Sequence, residues 1–343
     1  MKESLVAQEK LQNVASLMSN TLNELNGIIL GKEKLHKMMM IAILSRGHVL
    51  LEGLPGVGKT ALVKALGDLL KLEFNRVQFT PDLMPSDILG TNILQEKSDG
   101  NREMVFRHGP VFTNILLADE INRASPKTQS AMLEAMQEAA VTLLGETRIL
   151  PQPFFVLASQ NPIEMEGTYP IPEAQLDRFM FKLQVNTVDS DVLCQIISSR
   201  RRGEAPQAKS HLNAEDLMNI YDVMENIYLP KAVADYIARL VEASHPGSKS
   251  AISEINDYVG YGASPRAAIA IAEAARAAAL LEDRPTVGFD DVKFVAPAAL
   301  NHRLILNYKA KMDNVNEFDI IDALLSKIDE TNMSLPKDVT VEA

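Results

Sequence analysis

Apolar residues recur mostly three to four apart through the first 26 residues, at Leu5, Val6, Leu11, Val14, Met18, Leu22 and Leu25, which is the spacing of one helix face. A second helix is predicted from Glu33 to Arg46 on Leu35, Met38, Met39, Ile41, Ala42 and Leu44, with Gly47 placed to end it. Its methionines read as core filling. After Gly47 the period changes. Val49-Leu50-Leu51, Ile115 to Ala118 and Phe154 to Ala158 are unbroken apolar runs, as strands buried on both faces of a parallel sheet require. Phe179, Phe181, Leu183 and Val185 instead alternate as an edge strand does. Helical stretches lie between these runs at Lys59 to Leu70 and at Pro126 to Glu138, the latter opened by Ser125 as N-cap. Strand and helix in alternation predict an α/β fold with a parallel sheet between helices.

Two inserts break the alternation and read as hairpins, Asn92 to Arg107 with a polar turn at Lys97 to Asn101, and Val141 to Leu150 with its bend at Leu144-Gly145-Glu146. Beyond Thr187 strand signals fade. Helices dominate, the clearest running from Ser264 and Pro265 to Leu281 and rich in alanine. The expected organisation is an N-terminal helix (1–27), an α/β core (28–186), a small all-α domain (187–332) and a C-terminal tail (333–343).

The length of 343 residues agrees with that division at roughly 150 residues per domain. With 46% apolar and 23% charged residues the chain is globular in composition. Its net charge of −11 disfavours a bulk nucleic-acid or anionic-lipid surface. The single cysteine, Cys194, excludes an intramolecular disulfide and a cysteine zinc site, and reads as a small core residue. Without an apolar run of about 18 residues or a leader-like N-terminus, the cytoplasm is the expected compartment.

The chemistry concentrates at three strand ends. Gly53-Leu54-Pro55-Gly56-Val57-Gly58-Lys59-Thr60-Ala61 joins the first predicted strand to a helix and fits G-x-x-x-x-G-K-[ST]. Glycines there let backbone N–H groups turn around phosphate oxygens, Lys59 reaches the outer phosphates, and the Thr60 hydroxyl is placed to ligate Mg²⁺. A second apolar run ends in Asp119-Glu120. A carboxylate at the end of a buried strand needs a partner, and a metal beside Thr60 supplies one for Asp119, with Glu120 as general base. The third run ends in Ser159-Gln160-Asn161-Pro162, and the carboxyl ends of parallel strands converge on the ligand crevice.

These segments, together with Leu116 to Ala124, Gln129 to Met136 and Gln175-Leu176-Asp177-Arg178-Phe179, resemble the MoxR family of AAA+ ATPases. The resemblance implies a P-loop AAA+ core with inserted hairpins followed by a small all-α lid, binding ATP and Mg²⁺. It further implies a homo-oligomeric ring, expected as a hexamer, that remodels client proteins, with von Willebrand factor A-domain proteins as separate partners. Carried over residue by residue, Lys59 and Thr60 resemble the Walker A pair, Asp119 and Glu120 the Walker B pair, and Asn161 the sensor-1 residue. Arg178 stands where the family has an arginine finger, and Arg266, in Ser264-Pro265-Arg266, where it has the sensor-2 arginine. Ile29-Leu30-Gly31 resembles the segment that brackets adenine.

Other readings stay open at this level: a nucleic-acid motor like the MCM relatives, a chelatase motor subunit, or a nucleotide-gated binding module. The absence of Trp and the 5% aromatic content argue against a strand-stacking motor. Arg200-Arg201-Arg202 reads as a solvated face, and Lys97, Arg102 and Arg148 as basic residues at hairpin tips. Arg123 has two jobs open to it, an interfacial cation or a bond to its own Walker B loop. His108 and His302-Arg303 read as structural.

Overall fold

A computed structural model describes residues 8–96, 102–162, 167–200, 206–209, 212 and 214–330. The described residues form two compact units, one within Gln12 to Glu225 and the other from Asn226 to Glu330 together with Gln8 to Leu11.

The first unit takes in most of α1 (Gln8–Ile28), then α2 (Glu33–Leu44), β1 (Val49–Glu52), α3 (Lys59–Leu70), β2 (Phe74–Gln78) and α4 (Pro85–Leu89). There follow β3 (Gly90–Glu96), β4 (Arg102–His108), β5 (Ile115–Asp119), a 3-10 turn (Ile121–Arg123), α5 (Pro126–Glu138), β6 (Ala140–Leu143) and β7 (Glu146–Ile149). It closes with β8 (Phe155–Gln160), α6 (Glu173–Leu176), β9 (Phe181–Gln184), α7 (Ser190–Ser199) and α8 (Ala214–Met224). Five strands make one sheet in the order β2-β5-β8-β1-β9, and every pairing in it is parallel. The central strands β5, β8 and β1 are the unbroken apolar runs and are buried along nearly their whole length. The edge strand β9 alternates, as its sequence does.

The other edge, β2, has no counterpart among the predicted strands. Its Phe-Asn-Arg-Val-Gln carries three polar residues in five, so it lacks the continuous apolar run of a central strand, and only Val77 is buried in it. The two inserted hairpins form as expected, β3 with β4 and β6 with β7. Leu144 and Gly145 turn the second, both at positive φ, the conformation a two-residue hairpin turn demands. Lys97 to Asn101, Arg201 and Arg202 lie outside the described residues.

Two local expectations are corrected. The left-handed residue after α2 is Arg46 (φ 53°), not Gly47; Gly47 is small because a Cβ there would fall 2.4 Å from the Met180 sulfur. Cys194 is exposed on α7, a helix that buries none of its residues. Helices α7 and α8 group with the α/β unit, although they follow residue 187. Arg200 donates to the Gly27 carbonyl at 2.9 Å, Tyr221 donates to the Ile43 carbonyl at 3.2 Å, and the Arg46 guanidinium lies 4.3 Å from the Tyr221 ring centroid. Met38, Met39 and Met40 are buried, as core filling requires.

His48 fastens the α5 side of the sheet at the start of β1. Its Nδ1 accepts from the Val156 N–H at 3.0 Å, and Nε2 donates to the Met136 carbonyl at 3.0 Å, which fixes the neutral ring. Burial pushes its pKa down to about 4, below the unfolded value of about 6.5. The unfolded chain therefore binds the extra proton first, and this stabilisation is complete above about pH 6.5 and erodes toward pH 4. We expect the loss to reach about 2 kcal/mol at pH 5. Urea unfolding at pH 7 and pH 5 measures it. His48→Gln, which can keep both hydrogen bonds, should lose correspondingly less between the two pH values, and an equal loss in both proteins contradicts the assignment. His36, also held down to about 4 by burial, contributes equally to both proteins.

The second unit contains α9 (Lys231–Ala243), α10 (Ser253–Tyr258), β10 (Val259–Tyr261), α11 (Pro265–Leu281), α12 (Phe289–Leu300), β11 (Ile305–Leu306), α13 (Tyr308–Met312) and α14 (Glu317–Lys327). It is helical as expected apart from the short antiparallel ribbon of β10 and β11. Seven buried alanines on α11 let neighbouring helices approach closely. Ser264 caps that helix by accepting from the Arg266 N–H at 3.2 Å. His302 and Arg303 are buried.

Candidate nucleotide site

The loop Gly53–Gly58 leaves the carboxyl end of β1 and enters α3 at Lys59. Gly53 is required by contact, since a Cβ there would meet the Val185 carbonyl oxygen at 2.5 Å. Gly56 and Gly58 are required by conformation, at φ +80° and +90° with open space where a Cβ would stand. Pro55 and Val57 lie between these glycines, and Thr60 and Ala61 follow Lys59 in the first turn of α3. Backbone N–H groups of a glycine-rich turn at a helix N-terminus suit an anion cradle. Lys59 is buried and its Nζ donates to the Gly53 carbonyl at 2.7 Å. Burial pushes its pKa down, and Asp119 and Glu120 oppose that push.

Sheet register sets the acidic pair opposite this loop. Gln78 lies level with Asp119, Ala118 with Ala158, and Leu51 with Ser159, so Asp119 and Ser159 share one level beside β1. The Ser159 hydroxyl donates to Asp119 Oδ1 at 2.5 Å and accepts from the Glu120 N–H at 3.0 Å. Glu120 is left-handed (φ 55°), a strained conformation for a non-glycine residue that opens the 3-10 turn. Its Oε2 accepts from Gln78 Nε2 at 2.8 Å and from Arg123 Nη1 at 2.9 Å. Arg123 thus pairs with the carboxylate three residues before it, within its own chain. Arg76 Nη2 and Nε donate to Asp119 Oδ2 at 2.6 and 3.2 Å.

Arg76 and Gln78 are site residues that sequence reasoning missed. The sequence carries no strand signal there, since Phe-Asn-Arg-Val-Gln neither alternates nor forms an apolar run; with β2 placed, Arg76 and Gln78, two apart, share a face.

Asn161 follows β8 directly and is buried. The neighbouring Gln160 donates to Glu52 at 2.6 Å, and Lys182, the second residue of β9, pairs with Glu52 at 3.0 Å, which ties the carboxyl ends of β8 and β1 to each other and to β9. Arg178 is half-buried. Its Nη1 donates to the Leu133 carbonyl of α5 at 3.0 Å, while its buried Nε has no hydrogen-bond partner. Ile29, Leu30 and Gly31 link α1 to α2, where Gly31 turns at φ +73° and a Cβ would meet Val192 at 2.8 Å. Arg266 is exposed at the second position of α11, in the helical unit.

Among the described residues no group of three or more His, Cys, Asp or Glu side chains could hold a metal. A divalent cation here would rest on Thr60, Asp119 and oxygens brought by the nucleotide itself. The donor set fits that role, being a hydroxyl, a carboxylate and phosphate oxygens.

Comparison with known proteins agrees with this architecture. The family described as "ATPase family associated with various cellular activities (AAA)" matches residues 48–181, and an AAA lid domain matches residues 253–324. A P-loop AAA ATPase fold with a helical lid is therefore the class of this protein. Chaperone MoxR1 of Mycobacterium tuberculosis is 42% identical over 91% of this chain and 81% of its own length. YeaC of Bacillus subtilis is 40% identical over 92% and 96%. Protein MoxR of Methylorubrum extorquens is 29% identical over 82% and 86%. A crystal structure from Cytophaga hutchinsonii, assigned provisionally as an ATPase, superposes with a TM-score of 0.85 at 38% identity, covering 94% of this chain and 97% of that one. The chain belongs to the MoxR family of AAA+ ATPases.

Proposed function

We propose that this protein binds ATP with Mg²⁺ at the Gly53–Thr60 loop and hydrolyses it between subunits of a homo-oligomeric ring, expected as a hexamer. The observation that carries the reading is the meeting of three strand ends: the phosphate-type cradle after β1, the Asp119-Glu120 pair after β5, and Ser159 and Asn161 at the end of β8. In this account Lys59 turns from the Gly53 carbonyl to the outer phosphates, where the acidic pair keeps it charged. Thr60 and Asp119 would hold the cation, partly through water, and it would supply neutralisation of charge on the phosphates. Glu120 takes the proton of the attacking water, Asn161 orients that water, Arg178 supplies a cation to the phosphates from a neighbouring subunit, and Arg266 supplies another from its own subunit or a neighbouring one. Ile29, Leu30 and Gly31 border the base.

The biological output we propose is chaperone-like remodelling of client proteins or of metal-cofactor assembly, with von Willebrand factor A-domain proteins as separate partners, in the cytoplasm. Among the described residues no helix is long and apolar enough to cross a membrane. The test is phosphate release from Mg-ATP, which the wild-type protein should show and Glu120→Gln should lose; no release by the wild type would overturn the reading.

A further inference from the structure

We propose that Arg76 is the resident counter-cation of the metal-side carboxylate: it neutralises Asp119 in the nucleotide-free protein and must yield it when the divalent cation loads. The inference rests on the reading of this site as a metal-nucleotide site and adds a positioning residue on the edge strand.

Asp119 is nearly buried, with 11% of its side chain exposed, and a buried carboxylate needs a charge partner. Lys59 attracts Asp119 only at longer range, since its ammonium donates to the Gly53 carbonyl and forms no ion pair with that carboxylate. Arg76 does, with two of its nitrogens on the single oxygen Asp119 Oδ2, while Ser159 occupies Oδ1. Both carboxylate oxygens thus have protein partners. Of the two holders, Ser159 is neutral and fully buried in a central strand. Arg76 is charged, 46% exposed, and stands on an edge strand, so it alone has both an electrostatic reason to leave and a solvent path to leave by.

Its departure would be felt at the second carboxylate. Arg76 Nη2 also donates to Gln78 Oε1 at 2.9 Å, and Gln78 Nε2 donates to Glu120 Oε2 at 2.8 Å. Asp119, Arg76, Gln78 and Glu120 therefore form one hydrogen-bonded chain. Loading a cation at one end releases a restraint on the base at the other.

The experiment is a Mg²⁺ titration of the binding of a fluorescent ATP analogue, read by fluorescence rather than by turnover, in the wild-type protein, Arg76→Gln and Arg76→Lys. Removing a competing, half-exposed cation should lower the half-saturating Mg²⁺ about fivefold in Arg76→Gln. Arg76→Lys keeps the charge but loses the two-nitrogen grip, so it should fall about twofold. Melting without nucleotide should drop in Arg76→Gln, and the gap to wild type should narrow at saturating Mg²⁺ and nucleotide. A half-saturating Mg²⁺ that is unchanged or raised in both variants overturns the proposal while leaving the site reading intact. Wild-type binding that ignores Mg²⁺ overturns the site reading and the proposal with it.

Discussion

Glu120→Gln retains nucleotide binding and loses turnover by about 10²- to 10⁴-fold, the span expected when a positioned general base is removed. The geometry makes this a clean substitution. Glu120 Oε2 accepts from Gln78 and Arg123, and the amide oxygen of glutamine can accept from both, so the loop keeps its shape. What disappears is the basic carboxylate. Equilibrium binding of a fluorescent ATP analogue and steady-state phosphate release separate the two properties. Unchanged turnover refutes the role given to Glu120, and loss of binding shows that the side chain shapes the site instead. A variant that binds without releasing should also hold its client, so the protein retained with it in ATP identifies the partner.

The second large effect is expected at Arg178. Arg178→Ala should lower turnover by about 10³-fold or more, the scale of a lost arginine finger, with nucleotide binding retained. The side chain is poorly invested where it lies. One hydrogen bond to the Leu133 carbonyl engages it, and its Nε is buried without a partner, an arrangement that costs free energy. Release toward a neighbour's phosphates would relieve that cost and place a planar cation where charge develops. Mixing wild-type and Arg178→Ala subunits at fixed total concentration distinguishes trans from cis action. Activity should fall more than in proportion to the mutant fraction; a proportional fall places Arg178 in its own subunit's chemistry or outside the chemistry.

Much of the fold was legible because burial wrote itself into the sequence. β1, β5 and β8 are covered on both faces and so are continuous apolar runs, and Ser125-Pro126 and Ser264-Pro265 announce helices that form at those positions. β2 was hidden for the converse reason, being an edge strand whose outward positions are polar. That one omission removed Arg76 and Gln78 from the candidate site, since both depend on knowing which strand lies beside β5. The left-handed Glu120 was equally invisible, because its conformation is set by the tertiary hydrogen bond from its N–H to Ser159. Arg123 could not be assigned from sequence because both of its possible partners were acidic or anionic and only geometry distinguishes them. Cys194 was misread because small apolar residues are usually buried, whereas α7 carries its apolar side chains Leu193 and Ile197 exposed.

On the proposed function the Gly53–Thr60 loop seats the nucleotide, with Lys59 as its cation. Calorimetric titration of ATP with Mg²⁺ into the wild-type protein and Lys59→Ala tests it most directly. Wild type should take up one nucleotide per chain and a folded Lys59→Ala variant none that is measurable; equal binding by the two proteins would overturn the role given to this loop.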